Sequence, residues 1–289
     1  MHSRTILCRC LLCLLVGSSA VVSADDINYS GELSFAGNDN INNAWRAKDI
    51  REDSSLLARF GASKGYRLSP VSGVLLAGAL QTEAHRNFDR TNYVSAKAAV
   101  AYRARPGTGF SSPAYTAEFS LREILSSSQI RDRTVLDLKF ELFTRLTELT
   151  SMIAGLAYSQ SEAEGEVFDQ GRARLYANMD LLLNASSTLF VTYVFLSGDV
   201  VSVGTPDSLS LVLAADALEP DDAFGDGSIT GALAYRLDAD THIVTLGYNR
   251  VINHGSSIDV SLRWLSSSAA QNIEYDSLTL RLGYLFQFE

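Results

Sequence analysis

The sequence predicts an all-β fold: a single antiparallel up-and-down barrel that crosses a membrane. Three observations carry the prediction. Segments of about ten residues recur in which apolar and polar side chains alternate, the period-two pattern of a strand with two unlike faces. Polar breaks separate these segments and alternate between short and long. After Ala24 no apolar run is long enough for a spanning helix, so a membrane protein of this sequence must cross as a closed sheet.

Residues 1–24 read as a secretory signal peptide, with residues 25–289 forming the barrel. Arg4 and Arg9 supply the positive start, Cys10 to Val16 a short apolar core, and Val22-Ser23-Ala24 a small-x-small cleavage site. The core is too short to span a bilayer. All three cysteines, Cys8, Cys10 and Cys13, fall in this segment, and Cys13 lacks the small residues that precede a lipoprotein cysteine. The mature chain then has no disulfide, no cysteine nucleophile and no thiolate metal site.

The strands follow in order. The first is Tyr29, Gly31, Leu33 and Phe35 against Ser30, Glu32 and Ser34. A long break at 37–53, rich in Asn, Asp and Arg, precedes strands at 55–66 and 74–83, joined by the turn Leu68-Ser69-Pro70. Strands at 92–103 and 115–122 flank Pro106-Gly107-Thr108-Gly109. In 134–145, Leu136, Leu138, Phe140 and Leu142 alternate with Asp137, Lys139 and Glu141. Three charges on one strand face are costly in a soluble core, whereas a barrel with lipid outside and a polar lumen accommodates both faces. Strands at 152–158, 173–183, 189–196, 229–237, 242–251 and 258–264 lead to the last, 277–288.

That makes thirteen strands, an odd number, whereas a barrel with both termini on one side needs an even one. The doubtful stretch is Ser208 to Asp216. Read as a strand, it gives fourteen strands, the first reading. Read as a helix capped by Thr205 with Pro206 at its first position, it joins a large outer loop together with 228–238 and gives twelve, the alternative.

The last strand carries a further signal. Leu278, Leu280, Leu282, Tyr284, Phe286 and Phe288 alternate with Thr279, Arg281, Gly283 and Gln287. Arg281, Gly283, Tyr284, Phe286 and Phe288 resemble the C-terminal signal of bacterial outer-membrane β-barrels, with the departure that Glu289 follows the final aromatic. The resemblance implies recognition by the barrel-assembly machinery and residence in the outer membrane of a Gram-negative cell, among lipid and lipopolysaccharide. Segments such as Gly198-Asp199-Val200-Val201 and Tyr235-Arg236-Leu237-Asp238-Ala239 are similar to uncharacterised proteobacterial outer-membrane proteins of a porin-like group, which brings location but no activity.

Without residues 1–24 the chain holds 22 basic and 33 acidic residues, a net of −11. That balance argues against nucleic-acid binding. Arg outnumbers Lys twenty to four, which favours planar pairing with carboxylates or phosphates. The face assignment points a mixed set of charges into the lumen, and the candidates for solute selection are Lys97, Arg103, Asp137, Lys139, Glu141, Arg145, Arg174, Asp180, Arg236, Arg263 and Arg281. Glu32, Arg59, Glu118, Arg122 and Asp259 share the face. Such a set either makes cross-strand salt bridges that stiffen the wall or forms a charged constriction. The Arg surplus allows a zone that prefers anions.

Other candidate chemistry is thin. His85, beside Glu83 and Asp89, and His242, beside Asp238 and Asp240, fall at outer strand ends, where a His–carboxylate pair acts as a general base in hydrolases. A solvated loop His is the simpler reading. The acidic run Glu219 to Asp226 lacks Ca²⁺-loop spacing and reads as a solvated turn, as do Glu162, Glu164, Glu166 and Asp169. No cofactor or metal is expected. The functional expectation is a passive channel for small hydrophilic solutes. The alternatives are a non-conducting structural or interaction barrel, and behind it an outer-surface hydrolase.

Phe286 and Phe288 are read both as lipid-facing and as part of the assembly signal. Phe288→Ala or Phe286→Asp is expected to lower the amount of folded protein in outer-membrane fractions several-fold, and removal of Glu289 to leave it unchanged. Equal amounts in all three would remove the assembly role of this strand.

Overall fold

A computed structural model describes residues 27–205, 209–224, 229 and 231–288; the segment read as a signal peptide, Pro206 at the expected helix start, and Glu289 lie outside them. The strands are β1 (Asn28–Asn38), β2 (Asp53–Ser69), β3 (Ser72–His85), β4 (Tyr93–Ala104), β5 (Ala114–Ser126), β6 (Arg133–Arg145) and β7 (Thr150–Ala163). They continue as β8 (Gln170–Asn184), β9 (Ser187–Gly204), β10 (Ala217–Pro220), β11 (Leu233–Asn253), β12 (Ser256–Ala269) and β13 (Ile273–Phe288). A single α-helical turn and a half, α1 (Leu209–Ala214), precedes β10.

Twelve strands close into a barrel. Each pairs antiparallel with its neighbours; β9 pairs with β11, and β1 pairs with β13 from Tyr29↔Phe288 to Asn38↔Thr279. The short β10 lies outside the ring, on the edge of β11. The count is therefore twelve rather than fourteen. Leu209–Ala214 is helical, as the twelve-strand reading has it. Residues 233–238, however, do not join the loop: they run on without interruption into β11. Asp238 and Asp240 suggest a break in the sequence, but both are exposed on a strand that has risen beyond the apolar zone, where lipid no longer requires apolar side chains.

The two faces of the wall follow from the two solvents. Phe35, Leu80, Leu175 and Leu280 point outward and are more than half exposed in the absence of lipid. The alternate positions carry the polar and charged groups. At the end with the chain termini, Tyr29 stacks on Phe288 (centroids 5.5 Å) and Phe60 (6.0 Å), and Phe286 stacks on Phe288 (6.0 Å). These rings form part of an aromatic belt of the kind found at membrane interfaces. Phe286 also covers Gly31, where any Cβ would collide with its ring. Connections at this end are mostly short: 70–71, 146–149, 185–186 and 254–255, with 105–113 the longer one.

The opposite end carries the longer loops. Three of them share one construction, a 3-10 turn followed by an Asx residue whose side chain accepts the amide of a residue six or seven back. Asn92 accepts from His85 (2.6 Å), Asp132 from Ser126 (2.6 Å) and Asp169 from Ala163 (2.6 Å). Each loop is thereby folded tightly against its own strands.

Candidate solute pathway and its lid

The loop end carries a packed lid. β9 leaves the wall at Gly198, whose φ of +126° and lack of a Cβ let it lie against the backbone of Gly171. This is where pairing with β8 ends. Beyond it the β9–β11 ribbon is covered on both faces. Val203 and Ala234 pack with Phe88, Val167, Phe168, Ala223 and Phe224. Val200, Tyr235 and Leu237 pack with Leu211, Ile273 and Tyr275. The loop 39–52 reaches the same ribbon: Asn42 Nδ2 donates to the carbonyl of Val203 (2.8 Å), and Asn43 Nδ2 to that of Val201 (3.1 Å).

Two ion pairs hold the lid down. Asp221, with its side chain fully buried, pairs with Arg131. The Arg131 guanidinium also lies over the rings of Phe168 (4.7 Å) and Phe224 (5.6 Å). Asp222 pairs with Arg90 and accepts a hydrogen bond from Ser128 Oγ. The acidic run read from sequence as a solvated turn is thus, at 221–222, a latch. The partners come from loops 90 and 132 residues away in the chain, which is why local composition did not reveal it. Likewise, Val167 and Phe168 in the acidic loop at 162–169 are buried against the ribbon.

Below the lid lie two contiguous cavities. The lower, of about 730 Å³, is lined by Lys97, Arg122, Arg133, Lys139, Arg172, Arg174 and Arg263 against three acids, Glu118, Asp137 and Glu141. The upper, of about 340 Å³, shares Arg133, Arg172 and Arg263 and adds Arg131; among the described residues no carboxylate lines it. The charges differ in their pairing. Glu118 bridges Lys97 (2.9 Å) and Lys139 (3.3 Å), Lys139 reaches Glu141 (3.2 Å), and Tyr176 OH donates to Glu141 (2.8 Å). Arg281 joins Glu32 and Asp259. Arg122, Arg133, Arg172, Arg174 and Arg263, by contrast, have no ion-pair partner among the described residues; Arg172 donates to Gln170, and Arg133 to the carbonyl of Arg131 (3.4 Å).

The positions singled out from sequence fall into four groups, one of them Arg281 alone, which lines neither cavity and pairs with Glu32 and Asp259. Lys97, Asp137, Lys139, Glu141, Arg174 and Arg263 line the lower cavity. Arg103 and Arg145 are exposed at the turn end, Arg145 lying 5.8 Å from the Phe110 ring, and Asp180 accepts a hydrogen bond from Asn178 (2.8 Å). Arg236 sits in the lid, donating to the carbonyls of Glu166 (2.9 Å) and Asp169 (2.7 Å), because β11 has left the wall there. Arg133 and Arg172 are absent from the sequence-read set, since each stands one residue before the start assigned to its strand. Extending the alternation by one step finds both.

The histidines are separated from one another. His242 lies on the outer face beside Tyr193 and Phe195, its Nδ1 2.8 Å from Tyr193 OH. His85 lies 3.6 Å from Asp53 and 3.8 Å from Glu83 rather than near Asp89, but its Nδ1 has no hydrogen-bond partner. The neighbouring Ser55 donates to Glu83 and not to His85.

No protein-family model matches the chain, and no curated protein matches it. Solved structures do. An outer-membrane channel from Pseudomonas putida F1 is similar, with a TM-score of 0.59 at 12% identity over 93% of this chain and 97% of that one. The KdgM porin gives 0.44 at 12% identity, over 90% of this chain and 99% of that one. An anion-selective porin from Comamonas acidovorans gives 0.42 at 8% identity, over 92% and 100%. At these identities the likeness is one of fold: the chain has the closed β-barrel fold of porin-like bacterial outer-membrane channels.

The lid should loosen with acid. The hydrogen bond from Ser128, and then Arg90, hold the Asp222 carboxyl below its usual value against partial desolvation. A depressed carboxylate pKa stabilises the folded state fully above the unfolded value and loses that effect as pH falls through the folded one. Amide-exchange protection of Ala217, Leu218 and Glu219, corrected for intrinsic rates, is expected to hold from pH 6 to about pH 4 and to drop below it. Asp222→Asn should start lower and respond less. Arg131→Ala should cause the larger loss, since stranding one partner of a buried pair costs about 3–5 kcal/mol. Protection that ignores both pH and these changes would contradict the latch.

Proposed function

We propose that the barrel is a passive channel for small hydrophilic solutes, with a preference for anions. The observation that carries the reading is the uneven charge of the lumen: seven basic groups to three acidic ones around the lower cavity, on a chain whose total charge is negative. A structural wall needs matched pairs, as in the Lys97–Glu118–Lys139–Glu141 network. Unpaired guanidinium groups facing water serve instead to raise the local concentration of anions. Residence in the outer membrane, export through residues 1–24 and insertion by the assembly machinery belong to the same proposal. They are supported by the fold and the C-terminal aromatic pattern.

The lid favours a second reading, a closed interaction barrel whose outer loops meet lipopolysaccharide or a partner. Its basis is the buried Asp221–Arg131 pair over the mouth. Planar-bilayer recording separates the two. Discrete channels with a reversal potential favouring chloride in a salt gradient are expected. The ion preference should fall by about half or more when Arg122, Arg172, Arg174 and Arg263 are replaced by Gln together. Folded, heat-modifiable protein that never conducts would establish the closed barrel instead.

A further inference from the structure

We infer that the upper cavity is a binding site for a small amphiphilic anion, with an aromatic or compact apolar body and one carboxylate. As a statement about the transported solute, this rests on the channel reading; as a binding site it stands on its own geometry. The cavity has two unlike surfaces. Its roof is apolar, made by Ile41, Phe168, Val201, Val203 and Phe224 from the lid, while Arg133, Arg172 and Arg263 form the wall below.

Charge demands a counter-ion at this place. Arg131 is already paired with Asp221, and Asp199, whose charge acts on Arg172, is itself engaged by the Gly171 N–H and Arg236; Arg133, Arg172 and Arg263 make no ion pair among the described residues, and no carboxylate of those residues lines the cavity. Arg172 is steered by its bond to the Gln170 side chain, and Tyr275 and Thr241 add hydroxyls to the same lining. A planar carboxylate matches a guanidinium fork in a way that a spherical ion does not.

The apolar roof sets the rest of the ligand. Phe168, Val203 and Phe224 are buried within the lid itself, and the apolar surface left to a ligand is that of the half-buried Ile41, Leu196, Val201 and Leu265. A simple inorganic anion would leave these four facing water, whereas a ring or short branched chain covers them, a favourable burial of about 25 cal/mol per Å². The volume of about 340 Å³ is at the low end of the ~300–1,000 Å³ typical of small-molecule sites. It suits one ring with its carboxylate.

The test compares three probes by titration calorimetry on the purified full barrel in an uncharged detergent, against detergent alone. Benzoate has both features, acetate only the head, and benzyl alcohol only the body. Benzoate is expected to bind at least tenfold more tightly than either. Arg172→Gln with Arg263→Gln should weaken benzoate tenfold or more in protein that still shows heat-modifiable migration. Acetate equal to benzoate would remove the apolar half of the proposal, and benzyl alcohol equal to benzoate the arginine half. No benzoate binding at millimolar concentration would overturn it outright. Benzoate binding without conductance would sink the channel reading alone; anion-selective conductance without benzoate binding would sink this site alone.

Discussion

Everything in this molecule depends on one constraint: in hydrocarbon, a backbone N–H or C=O has no partner except another backbone group. An open sheet would leave two edges of unpaired groups. The seam between β1 and β13 removes them, with ten residue pairs from Tyr29↔Phe288 to Asn38↔Thr279. The first and last strands are therefore equally necessary, and the aromatic stack of Tyr29, Phe60 and Phe288 covers the seam at its turn end. Once the ring is closed, the outer face must be apolar and the inner face is free to carry charge.

The inner face uses that freedom in two ways. Near the middle of the wall, opposite charges pair across strands, which holds long side chains in place. Towards the lid the acids thin out and guanidinium groups remain. The only extensive apolar packing of the described residues is at the lid, where Phe88, Phe168 and Phe224 meet the β9–β11 ribbon. A barrel wall facing lipid has no hydrophobic interior of its own, so the lid is a small soluble-type core placed across a membrane protein. Its latch adds an ionic element that burial strengthens: Asp221 has no exposure and its partner Arg131 little.

Much of the wall is legible in sequence because two different solvents act on alternate residues of the same strand. Leu136 to Glu141 shows this without any structure. Legibility fails where only one solvent remains. Above the membrane, Asp238 and Asp240 break the alternation although β11 continues through them. The lid is the harder case. Asp221 finds Arg131 and Asp222 finds Arg90 across long chain separations, and no local period connects them. The residues of the lumen's upper level were nearly in view: Arg133 and Arg172 keep the inward parity of Asp137 and Arg174. The three Asx-closed 3-10 turns also leave a trace, an Asn or Asp six or seven residues after a strand end, which is too common in loops to be read alone.

The central claim is that the lumen beneath the lid is cationic although the chain is acidic. Chain produced without residues 1–24 has no thiol, so a single cysteine at Thr245, which lines the lower cavity, reports on that space alone. After Thr245→Cys in the folded barrel, an anionic methanethiosulfonate should label several-fold faster than a cationic one of similar size. Salt should shrink the difference, because it screens the field of the arginines. Equal rates at low salt, or faster labelling by the cation, would contradict the account.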